Sequence, residues 1–295
     1  MKIAIAGASG FLGSHLVHRL TGTGHEVLRL VRRPAHGPGE IPWDPAAHRL
    51  DPGALAGVDA VVNLAGASVS GKRWTPEYKK LILQSRVDAT STLANALAAT
   101  GSGILVNASG MNYYGDTGDR VADENAAYGR GFLAEVCIAW EAATRPAELA
   151  GVRVVRLRIG HVLHRSGGYL KPQLLPFKLG LGGPLGGGRQ WMSWIALADW
   201  LSAVEFVLAR DDVFGAVNTN APEPVRNADF TKVFGQVLHR PVVMPVPAFG
   251  LRLLLGELSV EALGSVRMAP NALTRTGFHF QYPNLREALE AALLS

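Results

Sequence analysis

The 295-residue sequence predicts an α/β fold: a doubly wound parallel sheet followed by a small, mostly helical C-terminal region. Three observations predict it. An apolar strand pattern runs directly into a glycine turn and an amphipathic helix within residues 3–20. Apolar strands then alternate with helix-period stretches as far as about residue 240. Beyond Pro241, Pro245 and Pro247, which read as a linker, the pattern becomes helical. The expected division is a sheet domain over 1–240, carrying a glycine-rich substrate-side loop at 166–190, and a small cap over 241–295.

The first element is the most informative. Ile3-Ala4-Ile5-Ala6 passes into Gly7-Ala8-Ser9-Gly10-Phe11-Leu12-Gly13, and apolar residues recur at Leu16, Val17 and Leu20. The spacing is GxxGxxG, one residue from the GxGxxG dinucleotide fingerprint, and the physical needs are the same. Gly7 permits a sharp turn, Gly10 lets a pyrophosphate approach the backbone, and Gly13 lets the helix pack on the strand. Backbone amides and the positive end of the helix dipole then face an anion.

After Gly22 and Gly24, His25 to Val31 reads as a second parallel strand, ending in Arg32-Arg33-Pro34. The end of this strand lies beside the adenosine ribose in such folds, where an acid bonds a 2'-hydroxyl and an arginine accepts a 2'-phosphate. Two arginines and no adjacent acid predict NADP rather than NAD. Residues 34–57 read as an extended loop with little regular structure. Val58 to Gly66 is a buried strand, and its end at Leu64-Ala65-Gly66 is small enough for a flat cofactor to lie against.

Thr75-Pro76-Glu77 opens a long helix. Within it, Glu77 and Arg86 read either as exposed helix charges or as groups facing the cofactor crevice. Ile104 to Ser109 is a strand that delivers Ser109, Tyr113 and Tyr114 just past its end. A helix over 131–148, a strand over 153–159 and then Gly160 and His161 continue the alternation. The glycine-rich stretch 166–188 reads as a substrate-side flap. Trp191 to Leu208 is a strand leading into a helix, Asp229 to Leu238 is a further helix, and Phe249 to Ser295 is a set of capping helices.

Composition narrows the function classes. The net charge of +5 is scattered in pairs rather than in a basic run, which argues against nucleic acid. The single cysteine, Cys137, excludes an internal disulfide and any cysteine-rich metal site. His15 and His18 share a helix face but bring no carboxylate ligand, so no metal is expected. No stretch is apolar and long enough to span a membrane, and the first strand leaves no room for a signal peptide, so a cytoplasmic protein is expected.

GASGFLG, DAVVNLAG, ASGMNYYGD, LRIGHVL and SWIALADW together resemble the extended short-chain dehydrogenase/reductase superfamily. LPFKLGLGGPLGGG, Gln84-Ser85-Arg86 and TGFHFQYPNLREAL resemble, more narrowly, its NAD-dependent epimerase/dehydratase-like "epimerase family" members with a C-terminal domain of unknown function. The resemblance implies an NAD(P)-binding Rossmann fold. It implies NADP(H) held by Gly7, Ser9, Gly10, Phe11, Leu12, Gly13, Arg32, Arg33, Leu64, Ala65, Gly66, Glu77, Arg86, Gly160 and His161. It also allows a homodimer through helices flanking the sheet.

Superfamily catalysis uses a Ser or Thr hydroxyl with Tyr-x-x-x-Lys. Here Tyr128-Gly129-Arg130-Gly131-Phe132 keeps the spacing but places Phe132 at the lysine position. A tyrosine without a nearby cation keeps its reference pKa of about 10, far from a working base at neutral pH. The catalytic candidates are Ser109, Tyr114 and Tyr128. The expected function is an NADP(H)-binding oxidoreductase or epimerase-like enzyme acting on a small molecule, a nucleotide sugar or carbonyl compound. The alternative is a non-catalytic NADP(H)-binding redox sensor or scaffold.

Overall fold

A computed structural model describes residues 1–101, 103–242 and 245–294, so Ser295, the last of the expected capping residues, lies outside it. The apolar runs become the strands β1 (Lys2–Ala6), β2 (Glu26–Val31), β3 (Glu40–Pro42), β4 (Ala60–Asn63), β5 (Ile104–Gly110), β6 (Arg153–Ile159) and β7 (Gly215–Thr219). They form one seven-strand sheet in the order β7-β6-β5-β4-β1-β2-β3. The pairings β1 with β2, β1 with β4, β2 with β3, and β4 with β5 are all parallel. Ile3 to Ala6 and all of β4 are fully buried, which is why both read as continuous apolar runs rather than alternating ones. Strand order reverses between β1 and β4, and open α/β sheets bind ligands at the carboxyl ends beside such a reversal.

Helix α1 (Phe11–Gly22) buries Gly13, Leu16, Val17 and Leu20. Helix α2 (Pro76–Thr100) is one unbroken helix. Thr75 Oγ1 accepts from the Tyr78 amide, Pro76 occupies the first position, and Gly101 ends the helix in the left-handed conformation. Helices α3 (Phe132–Ala142), α4 (Lys171–Lys178), α5 (Leu197–Ala209), α6 (Asn227–Val237), α7 (Ala248–Leu255) and α8 (Leu285–Leu294) follow.

The chain forms two compact units: Met1–Ser109 with Glu135–Leu157 and Val204–Val217, and Gly110–Ala134 with Arg158–Ala203 and Asn218–Ser295. The division is interleaved along the sequence. The reason lies in the second unit's core, where Leu285 and Leu289 of α8 bury with Phe230 and Phe234 of α6, Trp194 and Phe177. Asp199 adds a polar tie, its carboxylate accepting from the Gln281 and Tyr282 amides at 2.7 and 3.0 Å. The tail is therefore part of one core with residues well before it in sequence.

Residues 34–57 correct the sequence expectation. They contain β3 and two 3-10 turns, Pro45–Ala47 and Pro52–Leu55, rather than an irregular loop. Asp44 and Asp51 cap those turns through the amides of Ala47 and Gly53, while Ile41, Trp43 and Leu55 join the core of the first unit.

Two glycines fix the start of α1. Gly7 has φ of 78°, and a Cβ there would stand 2.6 Å from Leu64 O. A Cβ on Gly13 would stand 2.1 Å from Gly7 O, so only glycine lets the first turn of α1 seat on the loop. Gly13→Ala should lower stability by roughly 1–3 kcal/mol through this overpacking, read as a fall in the urea midpoint. An unchanged midpoint would contradict the close seating.

Candidate functional site

The first unit carries a groove of about 880 Å³ over the carboxyl ends of its strands. One wall is the β1–α1 turn, with Gly7, Ser9, Gly10 and Ser14; another is Leu64 to Ala67 after β4; a third is the end of β2 at Arg32 and Arg33. Gly10 is the N-cap of α1. It supplies no side-chain cap, and no acid stands in the first turn, so nothing offsets the positive end of the helix. A Cβ on Gly10 would meet only Gly7 O, at 3.3 Å, leaving the groove side open to close approach. These features fit the pyrophosphate of a dinucleotide.

The opposite wall is held by polar stitching that sequence reasoning did not single out. Asn63, fully buried at the end of β4, donates to Thr90 Oγ1 at 2.9 Å and to Asn107 Oδ1 at 2.7 Å, and its own Oδ1 accepts from the Ala65 amide at 3.1 Å. The 64–66 backbone is thereby tied to α2 and β5. The available signal was an asparagine inside each of two apolar strands, since a buried amide needs partners.

Arg86 also serves this wall, from behind. It is buried, its Nη1 donates to Ala67 O and Ile82 O at 3.0 and 2.9 Å, and its guanidinium lies 4.9 Å from the Trp140 ring. A Cβ on Gly66 would stand 3.1 Å from Arg86 Cγ, so arginine and glycine pack together. Arg86 is not among the groove's lining residues and meets this wall from behind, against Gly66 and Ala67. Glu77 is likewise absent from the lining. It is exposed in the first turn of α2, where its own amide and then Thr75 hold its carboxyl below the usual range. The face of α2 that does line the groove carries Leu81, Gln84, Ser85 and Asp88, spaced by three or four residues. Phe11, Leu12 and Gly13 contribute first-turn backbone, and their side chains are not in the lining.

At the β2 end the two arginines differ. Arg32 is exposed and has no side-chain partner among the described residues. Arg33 forms a two-point ion pair with Glu40 of β3, Nη1 to Oε2 and Nη2 to Oε1 both at 2.7 Å, and Nη1 also donates to Pro34 O. Glu40 accepts the His36 amide as well, and these bonds, Arg33 first, pull its pKa down to about 2. The acid missing from the end of β2 is thus supplied from β3, seven residues on, and it lines the same groove.

The catalytic candidates are more constrained than their spacing implies. In the first unit Ser109 is buried and its hydroxyl donates to Glu141 Oε1 at 2.7 Å. In the second unit Tyr114 is fully buried. Its hydroxyl donates to Asn218 Oδ1 at 2.6 Å and accepts from Arg158 Nη1 at 2.9 Å, and burial pushes its pKa up to about 12. The Tyr114 hydroxyl is thus engaged on both sides by partners inside the second unit. Tyr128 is exposed and sets its ring edge-on to Tyr113, whose face lies 3.4 Å from the Arg158 guanidinium. Of the three candidates only Tyr128 presents its hydroxyl to solvent.

Gly160 and His161 belong to the second unit and are not in the groove lining. A Cβ on Gly160 would stand 2.7 Å from Ser193 O, and the His161 amide donates to that same carbonyl at 2.7 Å. The His161 ring packs on Tyr169 at 4.3 Å, and burial lowers its pKa to about 4. The glycine-rich loop is anchored: the Leu185 amide donates to Asn227 Oδ1 at 2.7 Å, and the Gly188 carbonyl accepts from the Ala228 amide. Beside it lies a cavity of about 450 Å³ with Arg189, Arg226, Arg252, Asp116 and Asp119 in its wall. Trp191 is sandwiched between the guanidinium groups of Arg226 and Arg267, at 4.0 and 4.1 Å, and donates to Asp119. Among the described residues no His, Cys, Asp or Glu cluster could hold a metal, and no helix is long and apolar enough to cross a membrane.

Known proteins match this architecture along its length. Residues 3–219 match the model of the NAD dependent epimerase/dehydratase family, and residues 246–292 match a domain of unknown function, DUF1731. The chain is 45% identical over 288 residues to an epimerase family protein of Mycobacterium bovis, covering 97% of this chain and 96% of that one. The crystal structure of human epimerase family protein SDR39U1 with NADPH superposes with a TM-score of 0.92 at 33% identity, covering all of both chains. A nucleoside-diphosphate sugar epimerase from Corynebacterium glutamicum superposes with a TM-score of 0.82 at 35% identity, covering 99% of this chain and 58% of that one. The chain belongs to the NAD dependent epimerase/dehydratase family, within the short-chain dehydrogenase/reductase superfamily, in the branch that carries the DUF1731 tail.

Proposed function

We propose that this protein is an NADP(H)-dependent oxidoreductase or epimerase-like enzyme acting on an anionic small molecule. The observation that carries this reading is the groove of the first unit: uncapped α1 amides for a pyrophosphate, with the unpaired Arg32 at the β2 end for a further phosphate. NADPH in the human relative's structure supports the same choice. The cofactor, when bound, supplies a hydride at its nicotinamide. The chain's part is to hold the diphosphate on backbone amides, to keep the 64–66 wall in place through Asn63 and Arg86, and to offer Tyr128 as the exposed hydroxyl for proton exchange. In the second unit, Arg189 and Arg252 of the cavity beside the glycine-rich loop, where Asp119 already pairs with Arg226, support an anionic substrate, and a nucleotide sugar is one of that class. The protein is read as cytoplasmic and without a nucleic-acid partner, and a homodimer through sheet-flanking helices is part of the same proposal.

One specific observation favours a second reading, binding of NADP(H) without turnover. The hydroxyls of Ser109 and Tyr114 are both engaged internally, and Phe132 replaces the lysine that would lower a tyrosine pKa. NADPH oxidation measured across carbonyl and nucleotide-sugar substrates separates the two readings, since turnover selects the enzyme and tight binding without turnover selects the sensor.

Calorimetric titration should find NADPH bound more tightly than NADH. Arg32→Ala should weaken NADPH by roughly tenfold, the scale of one charge-assisted bond, and spare NADH. Equal affinity of the unmutated protein for the two nucleotides would overturn the NADP assignment. Tyr114→Phe should cost roughly 1–3 kcal/mol of stability by unpairing Asn218 and Arg158, and leave NADPH affinity unchanged. A variant as stable as the parent but without turnover would return Tyr114 to the chemistry.

A further inference from the structure

The end of β2 presents two arginines to the groove, yet one carboxylate stands among them. Glu40 reaches the groove from β3, whose backbone pairs in register with β2 so that Glu40 lies opposite Arg29. Both terminal nitrogens of Arg33 donate to Glu40, and one of them also donates to Pro34 O. A guanidinium has five N–H donors; these bonds take three, including the end-on Nη1/Nη2 fork, so a phosphate would meet Arg33 only from its Nε side and with Glu40 already balancing its charge. Arg33 side-chain exposure is 43% and that of Glu40 is 16%, so the pair faces the groove rather than being sealed off. A dianionic phosphate approaching Arg33 therefore meets a carboxylate 2.7 Å from the same nitrogens. Arg32, one residue earlier, has no such partner among the described residues.

We infer that Glu40 is a specificity-determining residue of the cofactor groove: by pairing with Arg33 it cancels one of two cations and so restrains the preference for a 2'-phosphate. The inference rests on the NADP(H) reading and adds to it the residue that sets the degree of discrimination. Arg29, Arg32 and Arg33 against Glu40 and Asp44 leave a formal charge of +1 at this end of the groove. The preference follows that sum, because a 2'-phosphate differs from a 2'-hydroxyl chiefly in charge. At roughly 7 Å in a water-like dielectric, each unit of charge changes the binding of a doubly charged phosphate by roughly fivefold to tenfold.

The test is calorimetric titration of NADPH and NADH into four full-length proteins: the parent, Glu40→Gln, Arg33→Gln and the double variant. Glu40→Gln is isosteric and raises the corner to +2, so the ratio of NADPH to NADH affinity should rise roughly fivefold or more. Arg33→Gln takes one cation from this end of the groove and lowers the sum to zero, and the ratio should fall by a similar factor. The double variant returns to +1 and should return close to the parent's ratio. A ratio that falls in Glu40→Gln would overturn the inference, because Glu40 would then be presenting Arg33 to the phosphate. A double variant that stays as low as Arg33→Gln would also overturn it, because Arg33 itself would be the indispensable ligand. If the parent takes up neither nucleotide, the functional reading fails instead, so the two failures are distinguishable.

Discussion

The contact between Gly13 and the carbonyl of Gly7 governs the rest of the site. With a Cβ at position 13 placed 2.1 Å from that oxygen, α1 seats on the turn only because residue 13 has no side chain. This seating puts the start of α1 at the carboxyl end of β1, next to the strand-order reversal, and leaves Gly10 as an N-cap without a capping side chain. An uncapped helix end is thus turned to the groove by close backbone packing, with the Gly10 amide donating to the Gly7 carbonyl at 3.0 Å.

Around that helix end the protein invests buried polar groups in holding backbone still. Asn63, Thr90 and Asn107 fasten the 64–66 wall from one side, and Arg86 braces it from behind through the Ala67 carbonyl. The Asn63, Thr90 and Asn107 side chains are all hydrogen-bonded inside the protein, which holds the wall's backbone in place. The same economy operates in the second unit, where Tyr114, Asn218 and Arg158 satisfy one another. A residue's identity with a superfamily catalytic type is thus a weak guide to its use when a buried partner already takes its hydroxyl.

What was legible in the sequence was local. The β1 strand, the glycine turn and α1 follow one another within 22 residues, and both ends of α2 carry their own signals at Thr75-Pro76 and Gly101. What was not legible was brought together by the sheet. Glu40 reaches the β2 end only because β3 adds in parallel outside β2, and nothing in Arg32-Arg33-Pro34 announces it. Arg86 and Glu77 share α2 with the groove-lining residues, but the helix rotation that selects Leu81, Gln84, Ser85 and Asp88 turns them elsewhere. The prolines near 240 mark a linker locally, and nothing in them announces that Leu285 and Leu289 find their partners on α6.

The central claim is that the amides opening α1 hold the diphosphate of a nicotinamide nucleotide. It is tested most directly by following backbone amide resonances of isotopically labelled protein during titration with NADPH. The account predicts that the amides of residues 8–13 are among the most strongly shifted and saturate together with those of residues 64–66. Saturable binding that leaves residues 8–13 unmoved would contradict it.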